Sequence, residues 1–156
     1  MGIGYVDSVV VYNRYTDGLL ETECYYGTRF DNVRVELTRG SNIRESGLEN
    51  ADSCLVKISN NGNLQKYYKA PQEWIALPDE EKLKHFTLNP DNGDFFAIAR
   101  KNELGINIDD LPIGFISSED YKGGFYQYVH NKYGYAYTVK TADVYNLIPR
   151  FEVSGA

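Results

Sequence analysis

Histidine and cysteine most often carry metal-ligand or nucleophilic chemistry, and this sequence has two of each. His85 and His130 lie far apart, and neither has an acidic or cysteine partner at a metal-ligand spacing. Cys24 and Cys54 form no CxxC or Cys/His pattern, and both lie in apolar segments typical of buried free thiols. A disulfide between Cys24 and Cys54 is kept as an alternative interpretation, but no spacing supports it. The sequence therefore predicts folding in a reducing cytoplasm.

The acidic segment at residues 89–94 looks at first like a calcium-binding loop. An EF-hand places acidic or Asn ligands at loop positions one, three and five and a glycine at position six. With Gly93 at position six, Leu88 would occupy position one, so we interpret the segment as a turn between strands. Other carboxylates, such as Asp109 and Asp110, are typical of a solvated loop, and a glycosidase pair is not recognisable from spacing.

The motifs of common nucleotide-binding and hydrolytic enzymes are missing from the sequence. It contains no GxGxxG, GxxxxGK[ST], HExxH or GxSxG pattern. We therefore predict a protein with no enzymatic activity, no cofactor and no bound metal.

Runs of β-branched and aromatic residues, separated by turn residues, predict most of the elements. A hairpin is expected where residues 6–15 and 19–26 flank Asp17-Gly18. Residues 29–37 alternate between apolar and polar, which is typical of a strand with one buried face. Further strands are predicted at residues 54–59, 64–69, 86–88, 95–99, 135–144 and 150–153.

The helical signals are short. Pro71 suits the first position of a helix over residues 71–76, and a second turn is predicted at residues 78–84. Trp74 is the only Trp and is predicted to anchor the first helix to the core. A third helix near residues 118–131 is ambiguous, because the Gly123-Gly124 pair disfavours it.

The predicted fold class is all-β (mainly β), a small β-barrel or sandwich with two or three short helical segments. No linker divides the 156 residues, so a single domain over residues 1–156 is expected. Residues 39–50 and 101–118 are polar and are predicted to form long surface loops.

The charge of the chain limits its partners. A net charge of −6 makes nonspecific DNA binding unfavourable, because such binding depends on Lys and Arg that neutralise phosphates. The N-terminal residues lack the pattern of a signal peptide, and no apolar stretch is long enough to span a bilayer. We expect a soluble protein that is not secreted by the standard route.

A cluster of aromatic residues between 121 and 137 is the most unusual local feature of the sequence. Three interpretations stay open: packing in and around a β core, a platform for stacking sugars, or a subunit interface, where Tyr is enriched. The members are Tyr121, Phe125, Tyr126, Tyr128, Tyr133, Tyr135 and Tyr137.

Several short motifs follow one another over residues 6–155. They are Val9-Val10-Val11-Tyr12-Asn13-Arg14-Tyr15, Ser46-Gly47-Leu48, Ala51-Asp52-Ser53 before Cys54-Leu55-Val56-Lys57-Ile58, Ala70-Pro71-Gln72-Glu73-Trp74, Phe86-Thr87-Leu88-Asn89-Pro90, Gly93-Asp94-Phe95-Phe96 and Arg150-Phe151-Glu152-Val153-Ser154-Gly155. With its motifs in this order, the chain resembles a family of small proteins. These proteins are encoded in the head and head–tail joining modules of tailed phages and prophages of Gram-positive bacteria. Phe151 stands where that family has a Trp, and Gly123-Gly124 falls where similar proteins carry an uninterrupted helix.

The resemblance implies a head-completion or head-closure (stopper) protein, which is a small β-barrel that assembles into a ring and accepts the tail. The implied partners are other copies in a cyclic hexamer or dodecamer, the portal–adaptor ring above, and a tail terminator or tail ring below. It implies a place in the virion neck, with the host cytoplasm as the compartment of assembly. It implies no membrane and no sequence-specific nucleic acid, although the ring could surround packaged DNA.

Two alternatives stay open beside the stopper. One is a tail terminator or another neck ring subunit, and the other, from a different class, is a carbohydrate-binding β module. For a ring subunit, the loops at residues 39–50 and 101–118 offer opposite charges for contacts with neighbours. The candidate interface residues are Arg39, Arg44, Glu45, Asp109, Asp110, Tyr126 and Tyr128.

Overall fold

The computed structural model of the chain describes residues 7–16, 22–38, 53–60, 64, 66–99, 107–133 and 135–156. Its strands are β1 (Asp7–Thr16), β2 (Glu23–Thr38), β3 (Ser53–Ser59), β4 (Tyr67–Tyr68), β5 (His85–Phe86), β6 (Phe95–Ala99), β7 (Gly114–Ser117), β8 (Ala136–Tyr145) and β9 (Arg150–Gly155). The helices are α1 (Pro71–Ile75), α2 (Asp79–Lys82) and α3 (Phe125–Tyr133), with 3-10 turns at Ile108–Asp110 and Ser118–Asp120. The predicted mainly β class with short helical segments is confirmed.

Seven strands form one antiparallel sheet in the order β1-β6-β8-β9-β3-β2-β7, and β4 and β5 form a separate parallel pair. β1 also pairs with β2, so the pairings run through β1, β6, β8, β9, β3 and β2 and return to β1. Each of these six strands is therefore paired on both sides over part of its length. The circuit is closed by β2, which pairs with β1 from Glu23 to Val33 and with β3 from Arg34 to Thr38.

A bulge in β2 lies where the strand changes partner. Between two consecutive paired positions the register advances by two residues on β1 and by three on β2, so β2 carries one extra residue. Asn32, within the bulge, has φ 56° and is the only non-glycine residue with positive φ in the described part of the chain. Asp31 is held on both sides, since its Oδ1 accepts from Ser8 Oγ at 2.7 Å and from Arg29 Nε at 3.0 Å.

We expect Asn32→Val to lower the free energy of unfolding by about 1–2 kcal/mol, because a β-branched side chain disfavours the left-handed backbone region. Asn32→Gly is the matched control and should be tolerated, since glycine adopts positive φ readily. Urea unfolding of the three proteins measures both effects. Equal stability of the Val and Gly variants would show that the bulge does not require this backbone conformation.

The interior of the closed circuit holds the main hydrophobic cluster. Alternate residues of its six strands point into this cluster, and Phe86 and Leu88 add to it from β5 and the segment that follows. The buried strand residues of the cluster are Val9, Val11, Phe30, Val33, Val35, Cys54, Val56, Ile58, Phe96, Ile98, Tyr137, Val139, Phe151 and Val153. Such alternation is what a strand with one inward face requires.

Two smaller clusters pack outside this interior. α3 covers Val10, Tyr12 and Phe95 on the opposite face of β1 and β6, with Phe125 and Val129 as its own buried residues. Both faces of β1 are therefore buried along this part, which explains its uninterrupted apolar run from Val9 to Tyr12.

Trp74 of α1 is buried, as predicted, but it packs in the third cluster, with Cys24 and Tyr26, and not in the main core. Its ring meets the Tyr26 ring edge to face, with the centroids 5.5 Å apart. The indole Nε1 donates to the carbonyl oxygen of His85 at 3.4 Å.

The segment at residues 89–94 is a turn before β6, as interpreted from the sequence, and it ends on a buried carboxylate. Asp94 is 1% exposed. Its Oδ2 accepts from Asn13 Nδ2 at 2.8 Å and from the backbone nitrogen of Asn89 at 3.1 Å, and its Oδ1 accepts from the backbone nitrogen of Arg14 at 2.8 Å. Burial raises the pKa of Asp94 to about 7, against the hydrogen bonds that favour its ionised form. This carboxylate joins β1 to the turn.

The raised pKa of Asp94 predicts a stability that depends on pH. A folded pKa of about 7, against 3.8 for an ordinary Asp, means that protonation favours the folded state. The contribution is fully present below about pH 4 and is lost as the pH rises to about 7, at up to ~1.4 kcal/mol per pH unit.

Asp94→Asn, which does not titrate, isolates this effect from other groups. The unfolding free energy of the native protein minus that of the variant should decrease between about pH 4 and 7. A flat difference over this range would mean that Asp94 keeps an ordinary pKa.

Three elements differ from their sequence predictions. The described parts of the runs at residues 19–26 and 29–37 belong to one long strand, β2, because Gly27 and Thr28 between them stay paired with Tyr12 and Val11 of β1. Residues 101–118 are not one long loop, because a 3-10 turn at Ile108–Asp110 and the strand β7 occupy its described part. Gly123 and Gly124 do not interrupt the third helix but precede it, with φ 81° and 95°. The predicted loop at residues 39–50 and the hairpin turn at Asp17-Gly18 lie outside the described residues.

Candidate interaction surfaces

The β8–β9 hairpin ends in a turn that carries exposed apolar side chains. β8 and β9 pair as far as Tyr145 and Arg150, and residues 146–149 connect them. Leu147 is 98% exposed and Ile148 is 68% exposed, and Val144 and Tyr145 beside them are also exposed. We call residues 144–150 the hairpin tip. Turns are usually built from Gly, Pro, Asn, Asp and Ser, so adjacent Leu and Ile are unexpected here.

The base of the hairpin tip is held by specific contacts. The Arg150 guanidinium lies over the Tyr145 ring, 4.2 Å from its centroid, and Arg150 Nε pairs with Glu152 Oε2 at 2.6 Å. The backbone nitrogen of Asn60 donates to the carbonyl oxygen of Pro149 at 3.0 Å. The apolar turn is therefore presented on a supported hairpin.

β7 carries a second exposed apolar surface. Ile113 is 59% exposed and Phe115 is 58% exposed. Among the described residues, β7 pairs with β2 alone, and its other side has no strand partner in that part of the chain. We call residues 113–117 the β7 edge. Gly27 of β2 permits this pairing, because a Cβ there would lie 3.2 Å from the Cα of Ile113 and 2.9 Å from Tyr12 Cε1.

Carboxylates flank the β7 edge on both sides. Residues 107–121 contain four acidic side chains and no Lys or Arg. All four are exposed, and they are Asp109, Asp110, Glu119 and Asp120. The hairpin tip, in contrast, has Arg150 as its only charged residue.

The predicted interface residues that the structure describes fall into two groups. Asp109 and Asp110 are exposed in the 3-10 turn, where Asp109 Oδ1 pairs with Arg29 Nη1 at 2.7 Å and the carbonyl oxygen of Asp110 accepts from Tyr133 Oη at 3.3 Å. Tyr126 and Tyr128 are half-buried on α3. Arg39, Arg44 and Glu45 lie outside the described residues.

The aromatic cluster serves mainly to pack α3 and the sheet. Phe125 and Tyr137 are buried, and the other members are partly buried. Tyr126 meets the Phe95 ring edge to face at 4.9 Å between centroids, and Tyr128 lies 4.6 Å from the Tyr121 ring. Of the three interpretations, packing in and around the core accounts for these contacts. The hairpin tip and the β7 edge were not singled out from the sequence.

A shallow cleft of about 290 Å³ lies between α3 and the ends of β1 and β2. Its lining is Arg14, Glu23, Tyr25, Gly93, Gly123, Gly124, Tyr126, Gln127 and Thr138. Glu23 Oε2 pairs with Arg14 Nε at 2.7 Å, and Oε1 accepts from Ser118 Oγ at 2.9 Å. Burial alone would raise the pKa of Glu23, but these hydrogen bonds hold it below its ordinary value. A general acid needs a raised pKa, so Glu23 does not have the electrostatics of one.

The histidines and cysteines are not brought together. His85 Nδ1 lies 2.9 Å from the carbonyl oxygen of Glu81, and His130 lies beside Tyr126. Cys24 and Cys54 are buried and are not joined in a disulfide. In the part of the chain that the structure describes, no group of three or more His, Cys, Asp or Glu residues is placed to hold a metal ion. None of the described helices has the length and apolar character needed to cross a membrane.

The comparison with protein families gives one match, to a family of unknown function over residues 5–155. The chain belongs to the DUF6751 family. The match covers the closed circuit of strands, the hairpin tip and the β7 edge, so all of them are parts of the DUF6751 domain. Neither the curated proteins nor the solved structures include a match to this chain.

If the hairpin tip is a contact surface, its apolar side chains contribute little to folding. Leu147→Ser with Ile148→Ser should change the free energy of unfolding by no more than about 0.5 kcal/mol, because neither side chain is buried. Val153→Ala, a buried residue of the same hairpin, is the control and should cost about 1 kcal/mol or more. Urea unfolding measures both. A loss of more than about 1 kcal/mol in the double Ser variant would show that the tip packs within its own chain.

Proposed function

We propose that this DUF6751 chain is a non-enzymatic structural subunit of the head–tail joining ring of a tailed phage, of the head-completion or stopper type that its sequence resembles. The observation that carries the proposal is the apolar hairpin tip. Fully burying a Leu or Ile side chain contributes about 1.5–3 kcal/mol, and Leu147 and Ile148 leave this contribution to a binding partner.

The fold supports this role. The closed circuit of six strand pairings is consistent with a small barrel, a rigid support from which hairpins and edges reach other proteins. The proposed partners are other copies of the chain in a ring, the portal–adaptor ring above it and a tail ring below it. The site of action is the virion neck, after assembly in the host cytoplasm.

The size of the tip suggests how such a ring forms. Four exposed apolar side chains bury far less than the ~800 Å² per partner of a standard stable interface. Copies in dilute solution are therefore expected to remain monomeric. In a neck, a neighbouring ring holds the copies at a high effective concentration, so weak contacts between adjacent subunits suffice.

A second candidate function is a carbohydrate-binding module, favoured by the cleft beside Tyr126. A half-buried aromatic ring next to Arg14, Glu23 and Gln127 offers both stacking and hydrogen bonds to hydroxyl groups. Titration with mono- and disaccharides, followed by NMR, separates the candidates. Saturable shifts at the cleft that Tyr126→Ala abolishes would favour the sugar module over the ring subunit.

The test of the proposed function places a charge on the tip. The gene is replaced in its native genome by the variant Leu147→Glu with Ile148→Glu, and the particles are examined by electron microscopy and by infectivity. We expect DNA-filled heads and free tails that do not join, because buried carboxylates oppose the subunit contact.

The control for this test is Gln72→Glu, which also adds a carboxylate at an exposed position but lies on α1. It should give normal particles, and circular dichroism should show that all variants fold. Normal infectious particles from the double Glu variant would contradict the proposed function.

A further inference from the structure

Exposed large apolar side chains are concentrated on few elements. Among the described residues there are eight, of which four lie on the hairpin tip and two on the β7 edge. The remaining two, Tyr67 and Leu83, lie at β4 and at the end of α2. The tip and the β7 edge belong to different strands, and a head-to-tail ring requires two different contact surfaces on every subunit.

We propose that the hairpin tip of one copy docks on the β7 edge of the next copy. This inference rests on the proposed function and deepens it by naming both sides of the contact. Leu147 and Ile148 would pack against Ile113 and Phe115, and the side of β7 away from β2 would offer its backbone groups to the incoming chain.

Charge favours this pairing over a contact between two β7 edges. Two β7 edges placed together would oppose Asp110, Glu119 and Asp120 with their own copies. The hairpin tip has no carboxylate within residues 144–150, and its Arg150 is already paired with Glu152 at 2.6 Å. The tip therefore meets the acidic border of β7 without like-charge repulsion.

The small area of the contact sets the conditions for a test. The apolar side chains named above cannot hold a dimer at low concentration, so crosslinking is carried out at ~1 mM, where weak contacts are populated. Two differently tagged single variants, Leu147→Cys and Phe115→Cys, are mixed and treated briefly with a short bismaleimide. The native Cys24 and Cys54 are buried and remain in all proteins.

Ser53→Cys is the matched control for the β7 position. Ser53 is exposed, but it pairs with Thr38, eleven residues along β2 from the Gly27 that pairs with β7. At about 3.3 Å per residue, this places it as much as ~36 Å from the β7 edge.

We expect at least about tenfold more crosslinked heterodimer from Leu147→Cys with Phe115→Cys than from Leu147→Cys with Ser53→Cys. Equal yields, or a product made mainly of two Leu147→Cys copies, would overturn the contact. If particle assembly needs an intact tip but no such crosslink forms, the proposed function is retained and this contact is wrong. If the crosslink forms but the protein has no role in particles, this contact is retained and the proposed function is wrong.

Discussion

The fold depends on the double pairing of β2. This strand joins β1 along its first part and β3 along its last part, and the bulge at Asp31 and Asn32 turns it from one partner to the other. If β2 paired with β1 alone, the row of strands would end at β3. The apolar side chains on the inward faces of β2 and β3 would then be exposed to solvent. Closure allows alternate residues of six strands to fill one interior. Outside the circuit of pairings lie β7, which pairs with β2 alone among the described residues, and the turn that ends the β8–β9 hairpin.

Local patterns in the sequence predicted much of this fold, because most strands are marked by alternation and turn residues. What they could not provide was long-range pairing. The two predicted strands within β2 are one, since Gly27 and Thr28, where the break was expected, stay paired with β1. β7 was missed because it has only four residues, begins with Gly114 and follows Pro112 closely, so it carries almost no strand pattern. The burial of Lys82, the last residue of α2, is a further long-range feature, since its Nζ lies 4.3 Å from the Tyr15 ring centroid and 3.0 Å from the carbonyl oxygen of Ile75.

The candidate site was harder to predict than the fold. Charges and tyrosines suggested an interface, yet Tyr126 and Tyr128 mainly pack α3, and Asp109 is paired with Arg29. The structure directs attention to Leu147 and Ile148, which the sequence places in a simple turn between two strands. A signal was present, since two large aliphatic residues are unusual in a turn. Whether such residues are buried depends on what the rest of the chain places over them, and a local pattern does not contain that information.

We propose that this DUF6751 domain is a ring subunit at the junction between phage head and tail. The decisive measurement is electron cryomicroscopy of the head–tail junction in particles produced from its native genome. We expect a closed ring of copies of this chain at the junction, each with its hairpin tip against a neighbouring subunit. If other chains account fully for the junction, in particles that lack this protein, the proposal is wrong.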